Sequence, residues 1–197
     1  MLPIAAGATV PADHGYLVHA MLKSECRPDI TARGWTFQEM DGRRTGGVIE
    51  LDHRKAPALT LRVPQEDLGY VMKLPRQQVR LGQHLLVLSD PLVRQVAPHH
   101  RLRSEFVYVT SDKHSIGVRY EDFGVHVGKR LAHMLGRVDF GVLVGKVRTR
   151  HIAGVKHYGY PVDVISLTDE ESLMLQWHGI GEGRGMGFGS IWRTECP

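Results

Sequence analysis

The chain has 197 residues, enough for one large domain or two small ones of roughly 100 residues each, and its 42% apolar fraction permits a sizeable core. Lys and Arg number 25 against 21 Asp and Glu, and the resulting +4 is too modest to identify a nucleic-acid binder, so the placement of the charges has to decide. Cys26 and Cys196 form no CxxC pair, no run approaches the ~18 apolar residues of a membrane span, and the opening Met1-Leu2-Pro3-Ile4 lacks a signal-peptide pattern; a reduced, cytoplasmic protein is expected, with no thiolate zinc site or disulfide framework.

Residues 2–10 are short, apolar and β-compatible. Pro11 ends them, and Asp13 is placed to cap a helix from about His14, with Leu17, Met21 and Leu22 on one face. Residues 27–47 have weak periodicity and many turn formers and read as mostly loop. Residues 48–51 read as a strand, 52–57 as a polar turn, and Leu59, Leu61 and Val63 alternate with Thr60 and Arg62 as a half-buried strand should. Pro64 opens a helical stretch at 65–74. Residues 78–81 and 85–88 flank a Gly82 turn, and 92–96 add another extended piece. The order strand, helix, strand, strand, helix, strand is the ferredoxin-like pattern found in RNA-recognition folds.

Ala97-Pro98-His99-His100 marks a boundary, and the same order then recurs. Residues 106–109 read as a strand. Residues 123–135 read as a helix with Val127, Leu131 and Leu135 at spacings of four, and 142–147 as a strand joined by a basic turn to another at 160–164. Thr168 and Glu171 make a capping box ahead of Leu173, Met174 and Leu175, and a strand at 188–192 closes the chain. The expectation is an α+β protein of two tandem ferredoxin-like (RRM-like) domains, 1–97 and 98–197, with antiparallel sheets and helices on one face.

Gly179, Gly181, Gly183, Gly185, Gly187 and Gly189 occupy alternate positions. Such a run lets the backbone approach a ligand and turn its N–H groups outward, which makes Gly181, Gly183, Arg184, Gly185 and Gly187 candidate RNA contacts. It equally suits a tight helix-to-strand turn. No GK[ST] follows, and the segment runs from a helix to a strand, so neither a P-loop nor a dinucleotide loop fits.

Between Val125 and Tyr160 lie Lys129, Arg130, Arg137, Lys146, Arg148, Arg150 and Lys156 against the single acid Asp139. Seven minus one gives a local +6, more than the whole chain carries, and that is the concentration phosphate contacts need. Arg148, Arg150 and Lys156 fall on a predicted hairpin interleaved with His151, His157 and Tyr158, so the ribbon can grip an RNA backbone while Tyr158 stacks a base. A solvated charged face is the alternative.

Three groups of residues carry a family resemblance. They are Glu171-Ser172-Leu173-Met174-Leu175-Gln176 with Gly179-Ile180-Gly181, the run Arg184-Gly185-Met186-Gly187-Phe188-Gly189, and Pro11-Ala12-Asp13-His14-Gly15-Tyr16 near the start. With Leu61-Arg62-Val63-Pro64 and Leu81-Gly82-Gln83-His84, they resemble the "Cas six" CRISPR repeat endoribonucleases of the RAMP superfamily, most of all the myxobacterial-type subgroup. The resemblance implies two tandem ferredoxin-like domains, binding of a CRISPR repeat stem-loop, company with other effector-complex subunits, and cleavage without metal or cofactor to a 2′,3′-cyclic phosphate.

Such cleavage needs a base near the 2′-hydroxyl, an acid near the departing 5′-oxygen and a cation for the phosphorane. His14 is the first candidate, followed by Tyr16, His19 and Lys23, the last two sharing a helix face at i, i+4. Many relatives carry their histidine just after the first helix, but Cys26-Arg27-Pro28-Asp29-Ile30-Thr31-Ala32-Arg33 holds none. An alternative is therefore a non-catalytic subunit that grips the repeat hairpin. His99-His100 beside Arg101 and Arg103 suit either phosphate contact or a solvated linker, and His126 and His133 lack the carboxylates a metal site needs.

Overall fold

The computed structural model describes residues 1–4, 8–26, 29–40, 42–52, 57–74, 78–108, 120–152 and 155–193. The chain forms two compact units, Met1–Arg94 with Gly185–Gly187, and Gln95–Arg184 with Phe188–Pro197. Each is an α+β arrangement of antiparallel strands.

In the N-terminal unit, β1 (Leu2–Pro3) and β2 (Thr9–Pro11) precede α1 (Gly15–Cys26). Then come β3 (Thr36–Phe37), β4 (Gly42–Thr45), β5 (Val48–Leu51), β6 (Ala58–Leu59) and β7 (Leu61–Arg62), a 3₁₀ turn at Gln65–Asp67, α2 (Leu68–Val71), β8 (Gln78–Leu81) and β9 (His84–Val87). Short strands knit these pieces together. β1 pairs with β6, β7 pairs with β3, and Ile4 bridges Leu88, all antiparallel. The lateral order is thus fourth, first, third, second, the ferredoxin-like order. A second sheet, β2-β5-β4, and the β8-β9 hairpin flank it. α1 buries Gly15, Val18, Met21, Leu22 and Cys26, a stripe at helical spacing that packs with Leu2, Val10, Phe37, Leu59 and Leu81. Each such Leu or Val contributes about 1.5–3 kcal/mol by leaving water.

In the C-terminal unit, β10 (Arg101–Val107), α3 (Tyr120–Leu135), β11 (Gly141–Val144), β12 (Arg148–Ile152), β13 (Val155–Ile165), α4 (Asp169–His178) and β14 (Trp192–Arg193) follow in order. The sheet runs β11-β13-β10-β14, and β12 adds to β13 as a hairpin. Setting β12 aside gives second, third, first, fourth: the same topology again. Val127 and Leu131 of α3, Leu175 of α4, and Leu102, Val162, Val164 and Ile191 make its core. The capping box of α4 is present as expected: the Thr168 side chain accepts from the Glu171 N–H and the Glu171 carboxylate from the Thr168 N–H.

Several expectations are corrected. Residues 27–47 are mostly loop, as expected, but two short strands, β3 and β4, lie among them; just before β3, Arg33 Nη1 and Trp35 Nε1 donate to the buried Asp67 carboxylate, both at 2.7 Å. Leu59 and Arg62 are buried while Leu61 is only half so, because the strand breaks at Thr60; burial pushes the Arg62 guanidinium down to about 10. The helix at 65–74 is reduced to the 3₁₀ turn and one α-helical turn. Residues 92–96 form no strand, leaving Leu92 and Val93 exposed, and Ile4 takes Leu88 instead. β10 starts five residues before 106, β11 stops at Val144, and the closing strand is only Trp192–Arg193. The expected end of β10 at Val109 and most of the turn at 52–57 lie outside the described residues.

Candidate nucleic-acid interface

The catalytic candidates sit at and on α1, and that helix separates them. His14 immediately precedes the helix and is only 1% exposed. Its Nδ1 lies 3.1 Å from the Pro11 carbonyl, and its Nε2 accepts the Met40 N–H at 2.9 Å. A carbonyl only accepts, so Nδ1 carries the proton and the ring is fixed as that neutral tautomer. Both nitrogens are engaged by backbone, and the ring ties the helix start to residue 40. Tyr16, His19 and Lys23 lie on the other side of the helix at i, i+3 and i+7. Tyr16 and Lys23 are exposed and His19 is half-buried.

The C-terminal unit holds the cations. Lys129 and Arg130 are exposed on α3, beside the equally exposed His126 and His133, and Lys146 is exposed in the β11–β12 connection. Arg137 is committed to the fold. Its Nε and Nη2 donate to the Glu171 carboxylate at 2.5 and 2.7 Å, Nη1 to the Asp139 carbonyl and carboxylate, and Nη2 also to the Ser166 carbonyl. The bonds from Arg137 hold the Glu171 carboxyl down at about 2 and raise the guanidinium further above its usual value. The acid missing from the basic stretch is thus supplied from the next helix.

Strand alternation divides the hairpin in the same way. In the β12–β13 register, Arg148 faces Gly159, Thr149 faces Tyr158, Arg150 faces His157, and His151 faces Lys156. Arg150 is buried, with its guanidinium carbon 5.5 Å from the centre of the Phe106 ring, and Arg148 Nη1 donates to Glu105 at 2.5 Å. Both guanidinium groups thus have partners within the fold. The opposite face is exposed: Thr149, His151, Lys156 and Tyr158, with Lys156 Nζ 5.1 Å from the Tyr158 ring centroid. One face of the ribbon is packing and the other is polar surface with a stacking ring.

The open side of the sheet differs from that of RNA-recognition folds, whose central strands carry stacking aromatics. Leu102, Val162 and Val164 point to the core, so Arg101, Arg103, Glu105 and Asp163 lie on the other side. Asp163, 6% exposed, accepts from Arg101 and Arg103, and Glu105 from Arg103 and Arg148. Burial pushes the Glu105 carboxyl up, but its bonds and charges with Arg103 and Arg148 outweigh this and hold it below the usual carboxylate range. This ladder consumes Arg101 and Arg103. His100 Nδ1 lies 2.7 Å from the Leu167 carbonyl, and the His99 N–H donates to Ser172, so that stretch is not a solvated linker.

The glycine-rich segment turns inward more than expected. The N–H of Gly189 donates to the Phe106 carbonyl, that of Ile180 to Gly189, and that of Glu182 to Tyr108. A Cβ at Gly189 would meet the Ile180 carbonyl oxygen at 1.7 Å, one at Gly179 the Gly189 carbonyl at 2.6 Å, and one at Gly181 the Tyr108 carbonyl at 2.7 Å. These glycines therefore admit the chain's own backbone. Gly183 and Gly187 take φ of 70° and 85°, Gly185 lies in the 3₁₀ turn at Arg184–Met186, and Arg184 is exposed and donates to the His178 carbonyl at the end of α4. Sequence reasoning missed Glu105, Asp163, Tyr108 and Glu182. Only the last carried a signal, as the lone acid among the glycines.

Among the described residues, no group of three or more His, Cys, Asp and Glu is arranged to hold a metal ion, and no described helix is long and apolar enough to cross a membrane. A family model described as Cas6 CRISPR matches residues 4–192. The CRISPR-associated endonuclease Cas6 of Myxococcus xanthus (strain DK1622) is 28% identical over 183 residues, covering 93% of this chain and 76% of that protein. Among solved structures, a RAMP protein described as binding different RNA substrates superposes with a TM-score of 0.62 at 16% identity, covering 98% of this chain and 97% of that one. A Cas6-related protein from Pyrococcus furiosus gives 0.61 at 14% identity, covering 97% and 94%. The repeated ferredoxin-like order, the likeness to these structures and the match along nearly the whole sequence agree: the chain belongs to the Cas6 family of CRISPR proteins.

Proposed function

We propose that this chain is an endoribonuclease that cuts CRISPR repeat RNA, using the RNA's own 2′-hydroxyl as nucleophile and staying on the hairpin product. Family membership supports the substrate class, and the observation that carries the chemistry is the outward stripe of Tyr16, His19 and Lys23 on α1. In this reading His19 moves the proton, either from the 2′-oxygen as it attacks phosphorus or to the 5′-oxygen as it departs. Lys23 offsets the charge of the phosphorane, and Tyr16 orients the nucleotide. His14 positions the helix through its two backbone bonds. The backbone of the RNA is held by Lys129, Arg130 and Lys146 and by the outer hairpin face, His151, Lys156 and Tyr158. Other CRISPR effector subunits are partners by the same family argument.

The burial of His14 also favours a second reading, a repeat-gripping subunit that does not cut, since it sets one of two candidate histidines away from solvent. One assay decides. With repeat RNA in EDTA, the wild type should cut, and a substrate with 2′-deoxy at the cleavage site should bind and remain whole. His19→Ala should slow cleavage by roughly 10²–10⁴-fold with affinity within a few fold. Intact repeat RNA after incubation with wild type would establish the non-cutting reading. Unchanged cleavage by His19→Ala would remove His19 from the chemistry, and unchanged cleavage by Lys23→Ala as well would leave α1 without a catalytic part.

A further inference from the structure

A second cluster of side chains lies in the C-terminal unit, and its role rests on the reading that this chain binds RNA. Tyr108 follows the last residue of β10 and lies half-buried beside His157 of β13, ring centroids 5.2 Å apart and planes at 74°. The Tyr108 hydroxyl is hydrogen-bonded to the carboxylate of Glu182. Glu182 is held in turn by its own backbone: its N–H donates to the Tyr108 carbonyl at 3.1 Å, and Gly181 and Gly183 on either side take φ of 83° and 70°. Only glycine adopts two such turns at low cost, so the backbone here places this one acid beside Tyr108. Burial, then the neighbouring carboxylate, raise the Tyr108 pKa, which keeps the hydroxyl protonated as the donor.

A carboxylate opposes phosphate, so Glu182 is misplaced for gripping RNA backbone and suited to a base edge. Half-buried rings offer stacking surface to an unpaired base. A carboxylate accepts two donors side by side, and guanine alone presents two adjacent donors on its Watson–Crick edge, N1–H and the N2 amino group. Cytosine and adenine set an amino group beside an acceptor nitrogen, and uracil sets its N3–H between two carbonyls. We propose that Tyr108, His157 and Glu182 form a recognition site for one unpaired guanine.

The test is a titration of the isotopically labelled full chain with GMP, AMP, CMP and UMP, followed by the ring resonances of His157 and Tyr108. The four share a phosphate, so general anion binding moves all alike. GMP should shift both rings saturably and at least tenfold more tightly than the other three, and Glu182→Gln should abolish that preference while still accepting from Tyr108. An equal response to all four, or none, overturns the guanine site, and a large melting-temperature loss in Glu182→Gln would then make Glu182 a pin for the segment. Repeat RNA binding is measured separately. RNA bound without guanine preference sinks this inference alone, whereas guanine preference with repeat RNA unbound sinks the broader reading alone.

Discussion

The β12–β13 hairpin and the glycine-rich segment both resemble ligand-facing surface in the sequence, and the structure treats them oppositely. The hairpin keeps a face for solvent, with Thr149, His151, Lys156 and Tyr158 outward and Arg150 turned onto Phe106. The glycine segment folds its backbone on itself, with Gly189 so close to Ile180 that a single methyl would overlap a carbonyl oxygen. Openness to a ligand and closeness to one's own chain demand the same residue type. What separates them is whether the backbone N–H groups are already taken.

That contrast predicts graded effects. Gly189→Ala forces a Cβ to 1.7 Å from a carbonyl at φ 63° and should cost more than about 3 kcal/mol, read as a collapse of the melting temperature; a folded variant with normal stability would show the segment to be loose. Arg150→Ala removes a buried side chain from Phe106 and should cost about 2 kcal/mol, lowering the melting temperature by roughly 4–8 °C. If it instead leaves stability intact and abolishes RNA binding, the inner face of the hairpin is the interface. Tyr158→Ala should do the reverse, keeping the melting temperature and weakening RNA by about 1 kcal/mol or more, at least fivefold. Lys156→Ala should reduce the slope of log affinity against log salt by roughly one unit with stability unchanged, and an unaltered slope would take Lys156 off the RNA. The smallest effect belongs to a bond that serves only the fold. The Glu171 pKa is depressed to about 2 in the folded state, so its contribution is fully present above its unfolded value of about 4.5 and is lost as pH falls toward 2. Glu171→Gln should flatten the acid limb of the stability curve in that window.

Much of the fold was legible because periodicity and caps are local. Val127 and Leu131 announce α3, and Thr168 with Glu171 announces α4. β3 was hidden because two residues give no alternation to read, and its partner β7 and the Asp67 that binds the preceding Arg33 and Trp35 both lie some thirty residues away. The candidate site was legible as a set of residue types and illegible as a set of directions. His14 points inward because Met40 offers it an N–H, and Arg137 is neutralised by Glu171, 34 positions on; neither partner is visible from a window around the residue. Arg148 and Arg150 show a subtler failure. Alternation does predict that they share a face, but the choice between faces is made by Glu105 and Phe106 on another strand.

β13 is one uninterrupted strand of eleven residues: its second half is fixed between β10 and β11, and its first half carries the hairpin. Mechanically this is a braced bracket. The outer arm, five residues at about 3.3 Å each, is roughly 16 Å long and is supported by Glu105, Phe106 and Tyr108, which meet Arg148, Arg150 and His157. Its root is clamped where Val162 and Val164 enter the core and Asp163 grips two arginines. A load on the hairpin is therefore shared between the β10 side chains that brace it and the sheet in which β13 is rooted.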